Sequence, residues 1–241
     1  MRKLATILLT FAAPACALAD KPADKPVVVL DPAFTQLVSP DAKMEVIREG
    51  YGFTEGVLWN GKGRFLLVTD MPANIIYKLS TDGKQQSVYL DRSGYTGHDI
   101  WRVGFMQTNG RDRSDPRFEE FAMIGSNGMA YDPQGRLVIA TWAGRGIDRI
   151  EKNGKRVTVT DNIDGRKFNG TNDVIVKKNG TIYFTDGYGG LRGRENDPKK
   201  GIDYSAVFMH RNGKTTRVTT DLPNTNGLAL SPDEKIGRAH V

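Results

Sequence analysis

The stretch FNGTNDVIVKKNGTIYFTDGYGG, residues 168–190, decides the fold. Two apolar runs, VIV and TIYF, flank an Asn-Gly pair, and that is the pattern of two strands joined by a tight hairpin turn. Asn169, Asn172 and Asp173 crowd in front of the first run. Buried strands rarely begin with three polar side chains unless those oxygen atoms have work to do.

The same plan recurs along the chain. Short β-branched and aromatic runs, MEVI, RFLLVTD, IIYKL, SVYL, RLVIAT, RVTVTD, TIYFTD and AVFMH, read as strands of about four to six residues. They are separated by Asp-Gly and Asn-Gly turns in TDGK, KNGK, KNGT and RNGK. Helix signals are nearly absent. Four segments align with one another: TEGVLWNGKGRFLLVTD, SNGMAYDPQGRLVIAT, TNDVIVKKNGTIYFTD and TNGLALSPDEK. The equivalent positions Gly56, Gly128, Asp173 and Gly227 lie 72, 45 and 54 residues apart, and the first interval carries an insertion over about 95–125. Repeats of roughly 40 to 50 residues, each supplying about four strands, predict an all-β propeller.

In a propeller the first strand of every blade lines the central channel, so polar residues at the starts of those strands converge on the axis. Glu55, Asn127, Asn172 and Asn226 hold that place. One carboxylate and several carboxamides, with neither Cys nor His among them, form a hard-oxygen set suited to Ca²⁺ and poorly suited to Zn²⁺. An asparagine before a strand also caps turns, and Asn127 taken alone carries either reading.

The motifs FTEGVLW, SNGMAYDPQGRL, FNGTNDVIVKKNGTIYFTD and LPNTNGLALSPDEK together resemble the SMP-30/gluconolactonase family of six-bladed propellers, over about residues 44–235. The resemblance implies six blades, of which roughly four are present here, and a hydrolase of lactones, typically sugar lactones, using one divalent cation. Ca²⁺ is the expected ion, with Zn²⁺, Mn²⁺ and Mg²⁺ as the alternatives. By motif position it implies Glu55, Asn172 and Asn226 as metal ligands and Asp173 as a catalytic or substrate-side carboxylate. Asn127 falls on a common NG of the family and is expected at the substrate. Two features depart from the pattern. Gly170 stands where animal members place a substrate-contacting arginine, and the later DG segment that supplies the family's main catalytic aspartate is not found.

Within the insertion, Tyr95, His98, Asp99 and Arg102 are expected to belong to a substrate-covering loop, because long loops in compact folds often serve as lids. Tyr188, in the GYGG loop after Asp186, is a further candidate for ligand contact. No GxSxG elbow, HExxH pair or Walker loop occurs. The rival readings are a non-catalytic exported propeller that binds a sugar or other small ligand with a structural ion, and a phosphotriester hydrolase on the same site.

The 241 residues are 39% hydrophobic and 26% charged, which suits a globular chain. Arg2 and Lys3, the apolar LATILLTFAA and the small-residue ALA before Asp20 predict an export signal over 1–19, so the protein is expected in the periplasm or secreted. No membrane span is expected after cleavage. Cys16, the single cysteine, lies in that signal. Removal of Arg2 and Lys3 leaves 32 basic residues against 28 acidic, a balance too mild to favour nucleic acid. Residues 20–42 read as an extended leader and 43–235 as an incomplete propeller. The final IGRAHV, 236–241, lacks the apolar strand the repeat demands. It can be encoded by ATCGGAAGAGCACACGTC, similar to a sequencing-library adapter, so this tail is expected to be foreign and the natural chain to continue beyond it.

Overall fold

The computed structural model describes residues 27–240. The predicted export signal lies outside the described residues. The described residues fall into two compact units, divided between Val46 and Ile47. In the first, a single 3₁₀ turn, Pro32–Gln36, starts at Asp31, whose carboxylate accepts the Ala33 N–H at 2.8 Å. Among the described residues no helix is long and apolar enough to cross a membrane.

The second unit is built from antiparallel sheets. The first is β1 (Thr54–Asn60), β2 (Phe65–Asp70), β3 (Ile75–Ser80) and β4 (Gln86–Asp91), a four-stranded meander. The insertion contributes a hairpin of β5 (Met106–Thr108) and β6 (Glu120–Ala122). A second meander comprises β7 (Met129–Tyr131), β8 (Leu137–Ala140), β9 (Ile147–Ile150) and β10 (Arg156–Thr160). The small hairpin β11 (Asn162–Ile163) and β12 (Arg166–Lys167) leads to a third meander, β13 (Thr171–Val176), β14 (Ile182–Asp186), β15 (Ala206–Arg211) and β16 (Lys214–Thr219). Last come β17 (Leu228–Leu230) and β18 (Gly237–Ala239). The first strands of successive sheets, β1, β7, β13 and β17, are neighbours, so these are three blades of a β-propeller and the opening pair of a fourth.

The turn chemistry matches the sequence. Gly83, Gly154, Gly180 and Gly213 close the four predicted turns at φ between +68° and +83°, where glycine has no steric cost. Blades are fixed to one another by apolar clusters. Between the second and third, Phe168, Phe184 and Phe208 meet with ring centroids 5.1 to 5.4 Å apart, surrounded by Val138, Ile147, Val174 and Ile202. Between the first and second lie Leu67, Ile76, Met129, Leu137 and Ile139.

Inner strands approach very closely at the repeat positions. A Cβ on Gly56 would sit 2.1 Å from the Asn127 carbonyl oxygen, and one on Gly128 would sit 2.1 Å from Asp173 Oδ1. These glycines exist because the next blade occupies the space a side chain would need.

One expectation differs from the structure. The MEVI run forms no strand; Met44 and Val46 are exposed, and no partner strand lies beside the run among the described residues. In the tail, Gly237–Ala239 pairs with β17, Leu228 opposite Ala239.

Candidate active site

Glu55 and Asn172 are each the second residue of an inner strand, on β1 and β13. The pairing of β1 with β2 slips between Thr54 and Val57, and that of β13 with β14 between Thr171 and Val174. A bulge of this kind re-aims the side chains it carries. Asn226 precedes β17, its N–H donating to the His240 carbonyl at 2.8 Å and its carbonyl accepting the Thr185 hydroxyl at 2.6 Å. Glu55, Asn172 and Asn226 all line one cavity of about 530 Å³.

Their side chains make no hydrogen bond or ion pair with other described residues. Burial of its surroundings, then the nearby charge of Asp173, pushes the Glu55 carboxyl above its ordinary value even though the side chain is open to the cavity. A carboxylate so placed gains from a positive partner. The donor set is one carboxylate and two carboxamide oxygens, which fits a hard divalent cation better than a thiophilic one. Among the described residues there is no group of three or more His, Cys, Asp or Glu side chains suited to a metal, so any ion here would rest on the amides as much as on acid.

The other predicted residues divide. Tyr188 lines the cavity. Asp173 does not: its Oδ2 accepts the Leu228 N–H at 2.7 Å and its Oδ1 the Val174 N–H at 2.8 Å, so it tethers β17 to β13. Burial raises its pKa, opposed by those two N–H donors and by His240. Asn127 is buried outside the cavity with its Nδ2 unpartnered. Tyr95 packs into the cluster under the insertion and donates its hydroxyl to Asp99, which lowers the Asp99 carboxyl and raises the phenol. His98 and Arg102 are exposed. None of Tyr95, His98, Asp99 and Arg102 lines the cavity. The insertion does reach it, by residues farther along, Phe105, Gln107 and Met123.

The third polar residue of the opening stretch, Asn169, is fully buried and accepts the Gly201 N–H while donating to the Ile202 carbonyl, both at 2.8 Å. The three residues therefore do separate things: Asn169 ties a loop, Asn172 faces the cavity and Asp173 holds the next blade. Sequence reasoning missed Trp142, which follows β8, is about nine-tenths buried and lines the cavity. It also missed Asp186, fully buried, whose carboxylate takes the Asn169 N–H at 3.0 Å and the Gly170 N–H at 2.7 Å. Burial raises Asp186 to about 7 against the pull of those donors and of Arg145.

The family model for the SMP-30/gluconolactonase/LRE-like region matches residues 22–162 and again 99–237, as an internally repeating chain allows. A gluconolactonase of Zymomonas mobilis subsp. mobilis is 32% identical over 206 residues, covering 84% of this chain and 52% of the relative. Protein strictosidine synthase-like 4 of Arabidopsis thaliana is 32% identical over 138 residues, 50% of this chain and 34% of that protein. A solved gluconolactonase from Xanthomonas campestris superposes with a TM-score of 0.60 at 25% identity, over 80% of this chain and 56% of its own. The chain thus spans about half the length of the gluconolactonases it matches. Its blades, its cavity and these matches agree that the chain belongs to the SMP-30/gluconolactonase/LRE-like family.

Proposed function

We propose that the natural protein is a lactone hydrolase that works with one divalent cation, Ca²⁺ first among the candidates. The observation that carries this reading is the meeting of Glu55, Asn172 and Asn226, from three different blades, at one cavity of small-molecule size. The family and its gluconolactonase members support the lactonase class.

Glu55 would hold the ion with the single formal negative charge, and Asn172 and Asn226 would add neutral oxygens, so the bound ion keeps net positive charge. A divalent cation bound there would polarise the lactone carbonyl and stabilise the negative charge that develops as water attacks. Hydrolysis joins the water oxygen to the carbonyl carbon, breaks the ring C–O bond and delivers a proton to the ring oxygen, leaving an open hydroxy acid. Asp173, both oxygens engaged by backbone N–H groups, keeps β17 and hence Asn226 in place.

Lactone hydrolysis by the purified protein in its natural length, assayed with and without chelator, tests the proposal. Turnover should fall at least about 100-fold on chelation and in Glu55→Gln, the scale of losing a principal electrostatic contribution to the transition state. Turnover indifferent to both would overturn it, and ligand binding without turnover would favour a receptor instead.

A further inference from the structure

The oxygen-bearing side chains share their cavity with Phe53, Met71, Phe105, Met123 and Trp142. These five are not scattered. All belong to the apolar cluster beneath the insertion, together with Ile124 and Ala143. A core cluster that opens onto a ligand-sized cavity presents one continuous hydrocarbon wall.

The wall is held in place from several directions. Trp142 sits at φ +43°, a conformation that a bulky residue rarely adopts. Its N–H donates to the Thr171 carbonyl at 3.2 Å and its carbonyl accepts the Arg145 N–H at 2.8 Å. A Cβ on Gly189 would fall 2.1 Å from the indole Cζ2, so the loop after β14 closes over the ring only because that residue is glycine. Phe105 N–H donates to the Gly189 carbonyl at 3.2 Å, and the Arg194 guanidinium lies 4.2 Å from the Phe105 ring centroid. The Phe105 and Trp142 rings stand 6.1 Å apart. Trp142 Nε1 is buried and unpartnered among the described residues, so packing, not a hydrogen bond, sets the ring.

The cavity also holds Gln107, Arg194, Glu195, Asn224 and Thr225, but a polyhydroxylated ring laid against the five apolar residues themselves would lose water from the hydroxyls on that side without gaining a partner among them. An alkyl chain or aromatic ring would instead gain from leaving water. We propose that the substrate is a lactone bearing an apolar substituent, seated on Phe105 and Trp142 while the ring carbonyl meets the oxygens of Glu55, Asn172 and Asn226. This inference rests on reading the cavity as a lactone site.

The test compares δ-decalactone with gluconolactone, two lactones of the same ring size, on the natural-length protein and on Phe105→Ala. Phe105 is half-buried on the insertion and belongs to neither of the two apolar clusters between blades. The alkyl lactone should show the higher kcat/KM by tenfold or more. Phe105→Ala should lower that value about tenfold and lower gluconolactone turnover by a smaller factor, so that the preference for the alkyl lactone shrinks on the scale at which a hydrophobic pocket discriminates. Preference for gluconolactone, or an equal loss for both substrates, overturns the proposal. If neither lactone is turned over, the hydrolase reading fails and binding decides this one. A δ-decalactam that shifts the protein's tryptophan emission, with the shift lost in Trp142→Phe, then sustains the apolar-ligand site; no binding sinks it.

Discussion

Blades one and three end their second strand with Thr-Asp, Thr69–Asp70 and Thr185–Asp186, whereas blade two has Thr141–Trp142 at the same place. The aspartates take up backbone N–H groups just ahead of the inner strand: Gly52 and Phe53 for Asp70, Asn169 and Gly170 for Asp186. In blade two the donor equivalent to Phe53 and Gly170 is Gly125, and it donates to the Met71 carbonyl at 2.8 Å. A neighbouring segment has taken over the capping. A repeat position that must be acidic in two blades is thereby released, and an indole facing the cavity occupies it. The repeat serves structure first, and it varies where another element satisfies the backbone.

The largest effect is expected from removing the more deeply buried of the two acids. Asp186→Ala leaves two buried N–H groups without their acceptor and takes from the desolvated Arg145 one of the two carboxylates that act on it, Asp197 being the other. Leaving two buried donors unsatisfied costs about 3 kcal/mol, readable as a lowered midpoint in urea denaturation. An unchanged midpoint would mean that the capping scheme is not what holds the strand entry.

The same residue gives a pH signature. Burial raises the folded-state pKa of Asp186 to about 7 from an ordinary 3.8. Between those values the folded chain keeps a proton that the unfolded chain releases, so the stability from this group is complete below pH about 4 and is lost as pH rises towards 7. Thermal melts at pH 5 and pH 8 should therefore show wild type losing more stability on the alkaline step than Asp186→Asn, which cannot titrate. Equal losses would assign Asp186 an ordinary pKa.

Much of this architecture was legible from local chemistry. The Asn-Gly and Asp-Gly turns and the apolar alternation are short-range signals, and Gly83, Gly154, Gly180 and Gly213 adopt the backbone those signals require. Glu55, Asn172 and Asn226 could be brought together because a repeat converts a common position into a common place. The rest depended on contacts between distant segments. Asp173 reads as a site carboxylate until Leu228, 55 residues away, is seen to claim it. Gly170 reads as a missing arginine until the Gly190 N–H is found 2.2 Å from where its Cβ would be. Within the insertion, nothing in the composition distinguishes Tyr95, which packs inward, from Phe105, which reaches the cavity. Trp142 did carry a signal, the break in the Thr-Asp repeat.

The smallest effect is expected at Asp70. Its oxygens accept the Gly52 and Phe53 N–H groups at 3.2 and 3.3 Å, longer than the bonds to Asp186, and Gly52 is exposed while Phe53 is half-buried. Water can reach those donors once the carboxylate is gone, so Asp70→Ala should cost only about 1 kcal/mol. Because Phe53 borders the cavity, the same variant should weaken binding of an apolar ligand before it unfolds the blade. Denaturation and ligand titration on Asp70→Ala and Asp186→Ala side by side separate the alternatives. If the two variants lose equal stability, burial is not what distinguishes the caps, and the contrast with Trp142 must be one of side-chain size alone.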